Sequence, residues 1–443
     1  MVKLALLLIG PGAFRRQWSV LAMIGAVFVV LALLLALDIS ATVTDLTYAA
    51  LGLVFVGNGL IGGLMALCAP VGVDRRFGLA KAAVSAMVGG LILAAPFQSD
   101  WALAILFAIA LIVDGAARMT SALLYRYSGW WGITLCGLGE VAMALMILVE
   151  WPLPADRNAA LCVGLFLGLS GWLLLRLGFL LRTLEDEAAI LLLPVFSNRG
   201  WYDNAPVLIG EDPPQEHEHP IIVRVWTPAG SIGAPERRPL IDRYLAAVDQ
   251  NGVISTGHTA LELSPDLYIS HYPAVEIEHT EQSFLTTVSS KPENDVAGRF
   301  IGSYAEEVAS WCEADACVTF RTYSQRRLRV YWAGYRQDNR YNLTNRNCSV
   351  LVAAALDAAL EGVLVSDSPW SRLVRLLLNP DLWVASMIRS RASSMTWTPG
   401  LLLDYARALA NIVERPEQSW ITRLRAALAR RRRETPSLDI VAS

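Results

Sequence analysis

The sequence predicts two bodies of different chemistry. The first is an α-helical bundle that crosses a membrane six times as three helical hairpin repeats; the second is an α+β soluble domain. Three observations predict this division. Apolar runs long enough to cross a hydrocarbon core of about 30 Å fill the first 182 residues, at approximately 19–37, 47–69, 79–97, 101–118, 130–150 and 159–181. Beyond Arg182, charge and proline return to ordinary densities, and all five histidines lie past position 215. A pattern also recurs every 56 residues in the apolar half: Asn58-Gly59, Asp114-Gly115 and Ser170-Gly171, with Pro96 and Pro152 at the same step. With 54% hydrophobic and only 17% charged residues, the 443-residue chain is too apolar for one soluble enzyme.

The first run is too long, and lacks a small-residue cleavage site, to be a removable signal, so it is expected to stay as a span. Flanking charges set the orientation. Arg15 and Arg16 precede the first span, Arg75, Arg76 and Lys81 fill the second loop, Arg118 and Arg126 the fourth, and Arg182 follows the sixth. The opposite loops carry Asp38, Asp45, Asp100, Glu150 and Asp156, with Arg157 their only basic residue. Both termini and everything past residue 182 are therefore expected in the cytoplasm. The predicted organisation is a membrane domain over 1–182, a linker over 183–219, a folded domain over 220–362 and an amphipathic, basic region over 363–443.

In each repeat the glycine is expected to let helices approach closely, and the polar residue before it to bond across the interface. Intramembrane polar residues are functional candidates, here Asn58, Asp114 and Glu140. Two readings stand for the carboxylates. One is a transport site. The other is structural pairing, Asp114 with Arg118 one turn away, with no obvious partner for Glu140. The span count, the repeat and the stretch "YRYSGWWGITLCGLGE" resemble the HdeD-like family of small bacterial membrane proteins, over roughly residues 15–182. That resemblance implies a multi-pass protein of the bacterial inner membrane with a loose link to acid resistance.

The linker holds "LEDEAA" and "GEDPPQEHEHP". His217-Glu218-His219 raises a metal hypothesis, but no CxxC-type pair accompanies it and a solvated acidic loop is the plainer reading. No metal or cofactor is expected. "PIIVRVWTP" reads as a strand bounded by prolines, "RPLIDRYLAAVDQNG" as a helix stopped by Asn251-Gly252, and "RRLRVYWAGYR" as a further strand. In between, 253–263 and 267–272 read as strands joined at Ser264-Pro265-Asp266, which is turn chemistry. A turn centred on Ser264 and Pro265 places His258 opposite His271; including Asp266 slips the pairing by one and leaves the imidazoles near neighbours.

Cys348 opens the helix-forming run "SVLVAAALDAALEGVL", with Asn347 as a natural N-cap. A thiol in a first helical turn meets the positive end of the macrodipole, which favours thiolate, and the same N–H groups can hold an oxyanion. The expected constellation is Cys348 as nucleophile, His258 as base and His271 as the residue that fixes the base's tautomer, with Asn347 and Tyr341 as oxyanion or supporting groups. The bland alternative is a cysteine that merely packs and histidines that merely bond.

"GHTALELSPDLYISHYPA" and "YNLTNRNCSVLV" resemble the His–strand–turn–strand–His and Asn-Cys segments of the circularly permuted papain-like hydrolases, over about residues 220–362. Lecithin:retinol acyltransferase-like thiol acyltransferases and phospholipases belong to that group, and NlpC-type peptidases are its relatives. The resemblance implies a papain-like fold, the same three site residues and a thioester intermediate. Where the acyltransferases carry an acidic residue and a histidine after the cysteine, this chain has Ser349-Val350. The expected activity is a cysteine hydrolase, peptidase, amidase or acyltransferase acting on an acyl lipid or protein near the cytoplasmic face of the lipid bilayer. The rival is a non-enzymatic stress, acid-resistance or transport protein with a degenerate soluble domain.

Cys312 and Cys317 are expected to stay reduced in the cytoplasm, and Cys68, Cys136 and Cys162 to pack within spans. Past residue 362, tryptophan beside arginine and leucine on short helices marks either an interfacial segment or packing around the soluble domain. Arg430 to Arg433 point to anionic lipid headgroups as partner. Nucleic acid is not expected, because the net charge is −3 and no reading motif accompanies the arginines.

Overall fold

The computed structural model describes residues 1–10, 13–14, 18–36, scattered positions between 49 and 93, 100–126, 130–152, 155–183, 214–226, 247–248, 254–255, 257–275, 289–394 and 396–414. Helices dominate the N-terminal part. They are α1 (Val2–Ile9), α2 (Trp18–Ala36), α3 (Asp100–Tyr125), α4 (Trp130–Val149) and α5 (Ala155–Thr183); the described positions from 49 to 63 and from 79 to 93 are helical as well. Among the described residues, two helices are long and apolar enough to cross a membrane, Trp18–Leu35 and Trp130–Val149. Their outward faces are apolar: Met23, Val27, Val30 and Leu33 on α2 are each more than half exposed.

The repeated glycines lie where helices touch. A Cβ on Gly115 would meet the Gly137 carbonyl oxygen at 2.6 Å, one on Gly171 the Gly25 carbonyl oxygen at 2.6 Å, and one on Gly59 the Ala86 nitrogen at 2.5 Å. The partners differ from simple hairpins. Each repeat glycine packs its helix on the next helix in the chain, α3 on α4, and the last returns to the first, α5 on α2. Asn58 lies outside the described residues.

The C-terminal part is built on antiparallel sheets. β1 (Gln215–Trp226), β4 (His258–Leu263), β5 (Leu267–Ile269) and β8 (Ala316–Tyr323) form a four-stranded sheet in the order β5-β4-β1-β8. Ile221, Val223 and Val225 alternate into the core, as a strand with one covered face requires. β6 (His271–Pro273), β7 (Val296–Phe300) and β9 (Arg340–Tyr341) form a second sheet, and β2 (Ala247–Val248) pairs with β3 (Ile254–Ser255). The helices are α6 (Tyr304–Ser310), α7 (Gln325–Tyr335), α8 (Cys348–Leu360), α9 (Pro369–Leu377), α10 (Pro380–Ser394) and α11 (Pro399–Val413). Helix α8 is buried nearly all round, between β4, α7 and α11, which explains its largely apolar composition.

Several expectations are corrected. "RRLRVYWAGYR" forms helix α7: Ser324 caps it by accepting from the Arg327 N–H at 3.2 Å, and Leu328, Tyr331 and Tyr335 fall on one buried face. Ala247-Val248, expected inside a helix, form a strand paired with Ile254-Ser255; Asn251-Gly252 lie outside the described residues. The rest of that expected helix lies outside the described residues. His217 and His219 belong to strand β1, where the His217 ring stacks on Tyr323 at 4.2 Å and the His219 carbonyl accepts from the Tyr323 hydroxyl at 2.6 Å.

Helix α1 alters the domain boundary. Leu4 to Ile9, grouped by sequence with the membrane half, are at most 1% exposed, inside the core of the C-terminal part beside α8, α9 and α10. The N–H groups of Gly362 and Leu364 donate to the Leu7 and Leu8 carbonyls at 2.9 and 2.8 Å. At about 2 kcal/mol for each fully buried Leu or Ile, α1 is a substantial part of that core. In the tail, α11 is buried against β1, β8 and α8, so packing accounts for it. The arginines 430–433 lie outside the described residues.

Candidate functional site

Cys348 occupies the first position of α8, capped by Asn347 as the sequence implies: the Asn347 Oδ1 accepts from the Val350 N–H at 2.8 Å. The Asn347 Nδ2 donates to the Leu343 carbonyl at 2.6 Å, the Thr396 hydroxyl at 3.0 Å and the Trp397 carbonyl at 3.1 Å. The amide is therefore spent on fixing the helix start, and its support of the site is through position rather than as an oxyanion donor. Tyr341 fits a supporting role more directly. Its phenol is buried, and burial together with the charge of the neighbouring Cys348 keeps it protonated.

β4 carries His258 to the sulfur. Leu261 pairs with Ile269 and Leu263 with Leu267, the register in which Asp266 belongs to the turn. His258 and Cys348 are only 3% and 5% exposed, and each is the neighbour whose charge most favours the ionised form of the other. The His258 Nε2 lies 2.9 Å from the Ser270 hydroxyl and 3.1 Å from the Glu307 Oε1, which leaves Nδ1 for the sulfur. The ring also stacks on Tyr272 at 3.8 Å.

Glu307 is the residue that sequence reasoning missed. It stands on α6, 1% exposed, and accepts from the Tyr272 hydroxyl at 2.6 Å, from the Ser270 hydroxyl at 3.3 Å and from the Tyr268 hydroxyl. Burial opposes its charge, but the hydrogen bond and charge of His258, together with the two phenols, hold its carboxyl below the usual range. No sequence pattern ties it to His258. The local signal is an N-cap, Ser303, with two glutamates in the first turn of a seven-residue helix, which reads as ordinary helix chemistry.

His271 is placed elsewhere. Its Nδ1 faces the Tyr335 hydroxyl at 3.0 Å and its Nε2 the Asn339 carbonyl at 3.3 Å. Burial lowers its pKa to about 4, so it is a neutral core residue joining β6 to α7. The orienting role expected of it falls to Glu307.

The electrostatics are those of an ion pair. Burial alone lowers the pKa of His258, but the Cys348 thiolate and Glu307 overcome it and raise the value to about 9. Burial raises that of Cys348, and the His258 imidazolium, Thr259 and Ser349 more than offset it, so the thiol pKa falls. The Thr259 hydroxyl donates to the Ser349 hydroxyl at 3.3 Å, and the Cys348 Sγ lies 3.8 Å from that oxygen. Chemically, the arrangement suits a thiolate nucleophile beside an imidazolium able to protonate a leaving group.

The segment before Cys348 is tied to α3 of the N-terminal part. The Ser290 N–H and hydroxyl donate to the Tyr125 carbonyl at the end of α3, at 2.9 and 3.0 Å, and the hydroxyl also to the Arg126 carbonyl at 2.6 Å. The Asn345 Nδ2 donates in turn to the Ser290 carbonyl at 3.4 Å, three residues before the cysteine.

Of the intramembrane candidates, Asp114 accepts from Arg118 at 2.8 Å. Glu140, for which the sequence offered no partner, meets the same Arg118 at 3.1 Å. The free cysteines Cys136, Cys312 and Cys317 are exposed; for Cys136 that departs from the expected packing role. Among the described residues no group of three or more His, Cys, Asp or Glu side chains is arranged to hold a metal. Comparison of the chain with protein-family models, with curated proteins and with solved structures finds no match.

Proposed function

We propose that the chain is a membrane-anchored cysteine hydrolase or acyltransferase of permuted papain-like design, carried by a six-span HdeD-like bundle in a bacterial inner membrane. The observation that carries this reading is the buried Cys348–His258 pair with Glu307 on the far nitrogen of the imidazole. The Cys348 thiolate attacks an acyl carbonyl, and the His258 imidazolium gives its proton to the departing alcohol or amine, leaving a thioester. Water, or an acceptor hydroxyl or amine, then loses a proton to His258 as it attacks the thioester, which restores the thiolate. Glu307 stabilises the imidazolium throughout. The substrate is an ester or amide borne by a lipid or a membrane-associated protein, and the tie from α3 through Ser290 to Asn345 supports a site beside the bilayer.

Helix α1, taken with the flanking charge, supports a cytoplasmic domain. Its burial in the C-terminal core favours the start of the chain and that domain lying on one side of the bilayer, and Arg15 and Arg16 before α2 favour the cytoplasm as that side. One observation favours the non-enzymatic rival, a stress or transport protein with a degenerate domain: the thiol is only 5% exposed.

A thiol-directed activity probe on inverted and right-side-out vesicles separates the two readings. Labelling only in inverted vesicles, lost in Cys348→Ala and in His258→Ala, is the expected result. Labelling indifferent to His258 means an ordinary cysteine and favours the rival.

A further inference from the structure

Two of the glycine contacts between helices are equivalent, each setting a repeat glycine against a glycine carbonyl, yet one of them is chemically different. At the α5–α2 contact, a Cβ on Gly171 would face the Gly25 carbonyl and the Cβ of Phe28. At the α3–α4 contact, a Cβ on Gly115 would face the Gly137 carbonyl and the Cβ of Glu140. Glu140 thus stands where the equivalent interface has phenylalanine. Arg118, three residues after Gly115, likewise stands where the other repeats have Gly62 and Leu174. Packing at these contacts does not require charge, so the Asp114–Arg118–Glu140 group has been added to a scaffold that works without it.

The group is out of balance. Arg118 is shared between Asp114 at 2.8 Å and Glu140 at 3.1 Å, two carboxylates for one guanidinium. Glu140 is 6% exposed in the middle of α4, and its Oε2 is buried without a donor. The Asp114 Oδ2 and the Glu140 Oε1 both lie on the same Arg118 Nε, at 2.8 and 3.1 Å, which brings the two carboxyl groups side by side. Two ionised carboxylates repel at that range, whereas a carboxylic acid and a carboxylate share a hydrogen bond. Arg118 then balances the one remaining negative charge. Besides Arg118, the titratable neighbour is Cys136 on α4. Helix α5, which packs against both α3 and α4, brings Arg176, and among the described residues none of the interactions at the pair involves it.

We propose that Asp114 and Glu140 form a proton-binding site inside the membrane bundle, one proton being held between the two carboxyl groups with Arg118 as the fixed counter-charge. The proposal rests on the reading that α3 and α4 lie in the bilayer, where an uncompensated carboxylate is costly. It concerns a group remote from Cys348, and it gives the bundle a ligand of its own.

The test uses the full chain, purified from alkali-washed membranes and reconstituted in phospholipid nanodiscs. Infrared difference spectra are recorded as the pH is stepped, in light and heavy water. The expected result is the carbonyl band of a protonated carboxylic acid that persists into the neutral range, shifts in heavy water and is lost in Glu140→Gln. Asp114→Asn, which keeps the contact but removes one acid, should lose the same band. A wild-type spectrum with no such band overturns the proposal, whatever the variants do. So does a band that survives in both variants, or one abolished by sodium at constant pH, which would mark a metal-cation site. Release of the chain by the alkaline wash overturns the membrane reading and the proposal with it, whereas retention with a silent spectrum overturns the proposal alone.

Discussion

The Nε2 of His258 lies 3.1 Å from the Oε1 of Glu307, with both side chains almost wholly buried. Forty-nine positions separate the two, and nothing in the intervening sequence announces the contact. The Cys348 thiolate and the Glu307 carboxylate together raise the pKa of His258 to about 9, and the His258 imidazolium in turn lowers that of Cys348.

Replacing Glu307 with Gln keeps the shape and removes the charge. An opposite charge at this range moves a pKa by about 1–3 units, so the thiolate fraction at neutral pH should fall about ten-fold or more. Iodoacetamide alkylation of Cys348, followed by mass spectrometry, measures this directly. His271→Gln should leave the alkylation rate within about two-fold, because His271 bonds Tyr335 and Asn339 rather than His258. Equal losses in both variants would return the orienting role to His271.

The pH dependence of that alkylation follows from the same ion pair. Cys348 should stay reactive well below the value near 8.5 of a free thiol, with a plateau that ends as His258 deprotonates at about 9. His258 has a folded pKa raised above its ordinary 6.5. Its contribution to stability is therefore complete below 6.5 and is lost as the pH rises through about 9. In His258→Ala the thiolate loses its counter-ion while remaining buried, so reactivity should appear only at alkaline pH. A wild-type profile that rises only near 8.5 would mean there is no ion pair.

What the sequence made legible here was local. Asn347 as cap, Cys348 in the first turn of an apolar helix and His258 on a strand beside a turn at Ser264–Asp266 are each set by neighbours a few residues away, and each is where local chemistry predicts. Glu307, the α1 helix in the C-terminal core and the helix at 325–335 depend on partners far along the chain. For α7, the alternating Leu328, Val330 and Trp332 gave a strand pattern, while the Ser324 cap and the face of Leu328, Tyr331 and Tyr335 decided for helix. The 56-residue repeat marked the close-packed glycines without identifying the helix each one faces, because periodicity along a chain carries no information about pairing in space.

Helix α1 gives a stability prediction. Leu7 is fully buried among α8, α9 and α10, so Leu7→Ala should destabilise the C-terminal part by about 3 kcal/mol, the middle of the range for a core leucine. Met23→Ala, on the outward face of α2 at 60% exposure, is the control and should change little. Hydrogen exchange along α8 in the full-length protein reads both. Unchanged protection in Leu7→Ala would mean that α1 is not part of that core.

The glycine contacts allow a graded test of the helical half. A Cβ at Gly115 or Gly171 would come within 2.6 Å of a facing carbonyl oxygen. Such contact is relieved only by separating the helices, which forfeits dispersion along the whole interface. Gly139, on the same α4 helix, has no atom within 4 Å of the position its Cβ would take. In a helix it should gain from alanine, by up to about 1 kcal/mol. Gly115→Ala and Gly171→Ala should therefore lower the temperature at which the detergent-solubilised protein aggregates, and Gly139→Ala should leave it equal or higher. Because Gly171 meets Gly25 across the first and last long helices of the half, its variant also tests whether the helical half closes on itself. If Gly171→Ala behaves like Gly139→Ala while Gly115→Ala is harmful, α3 and α4 pack as described and the α5–α2 contact does not carry the stability assigned to it.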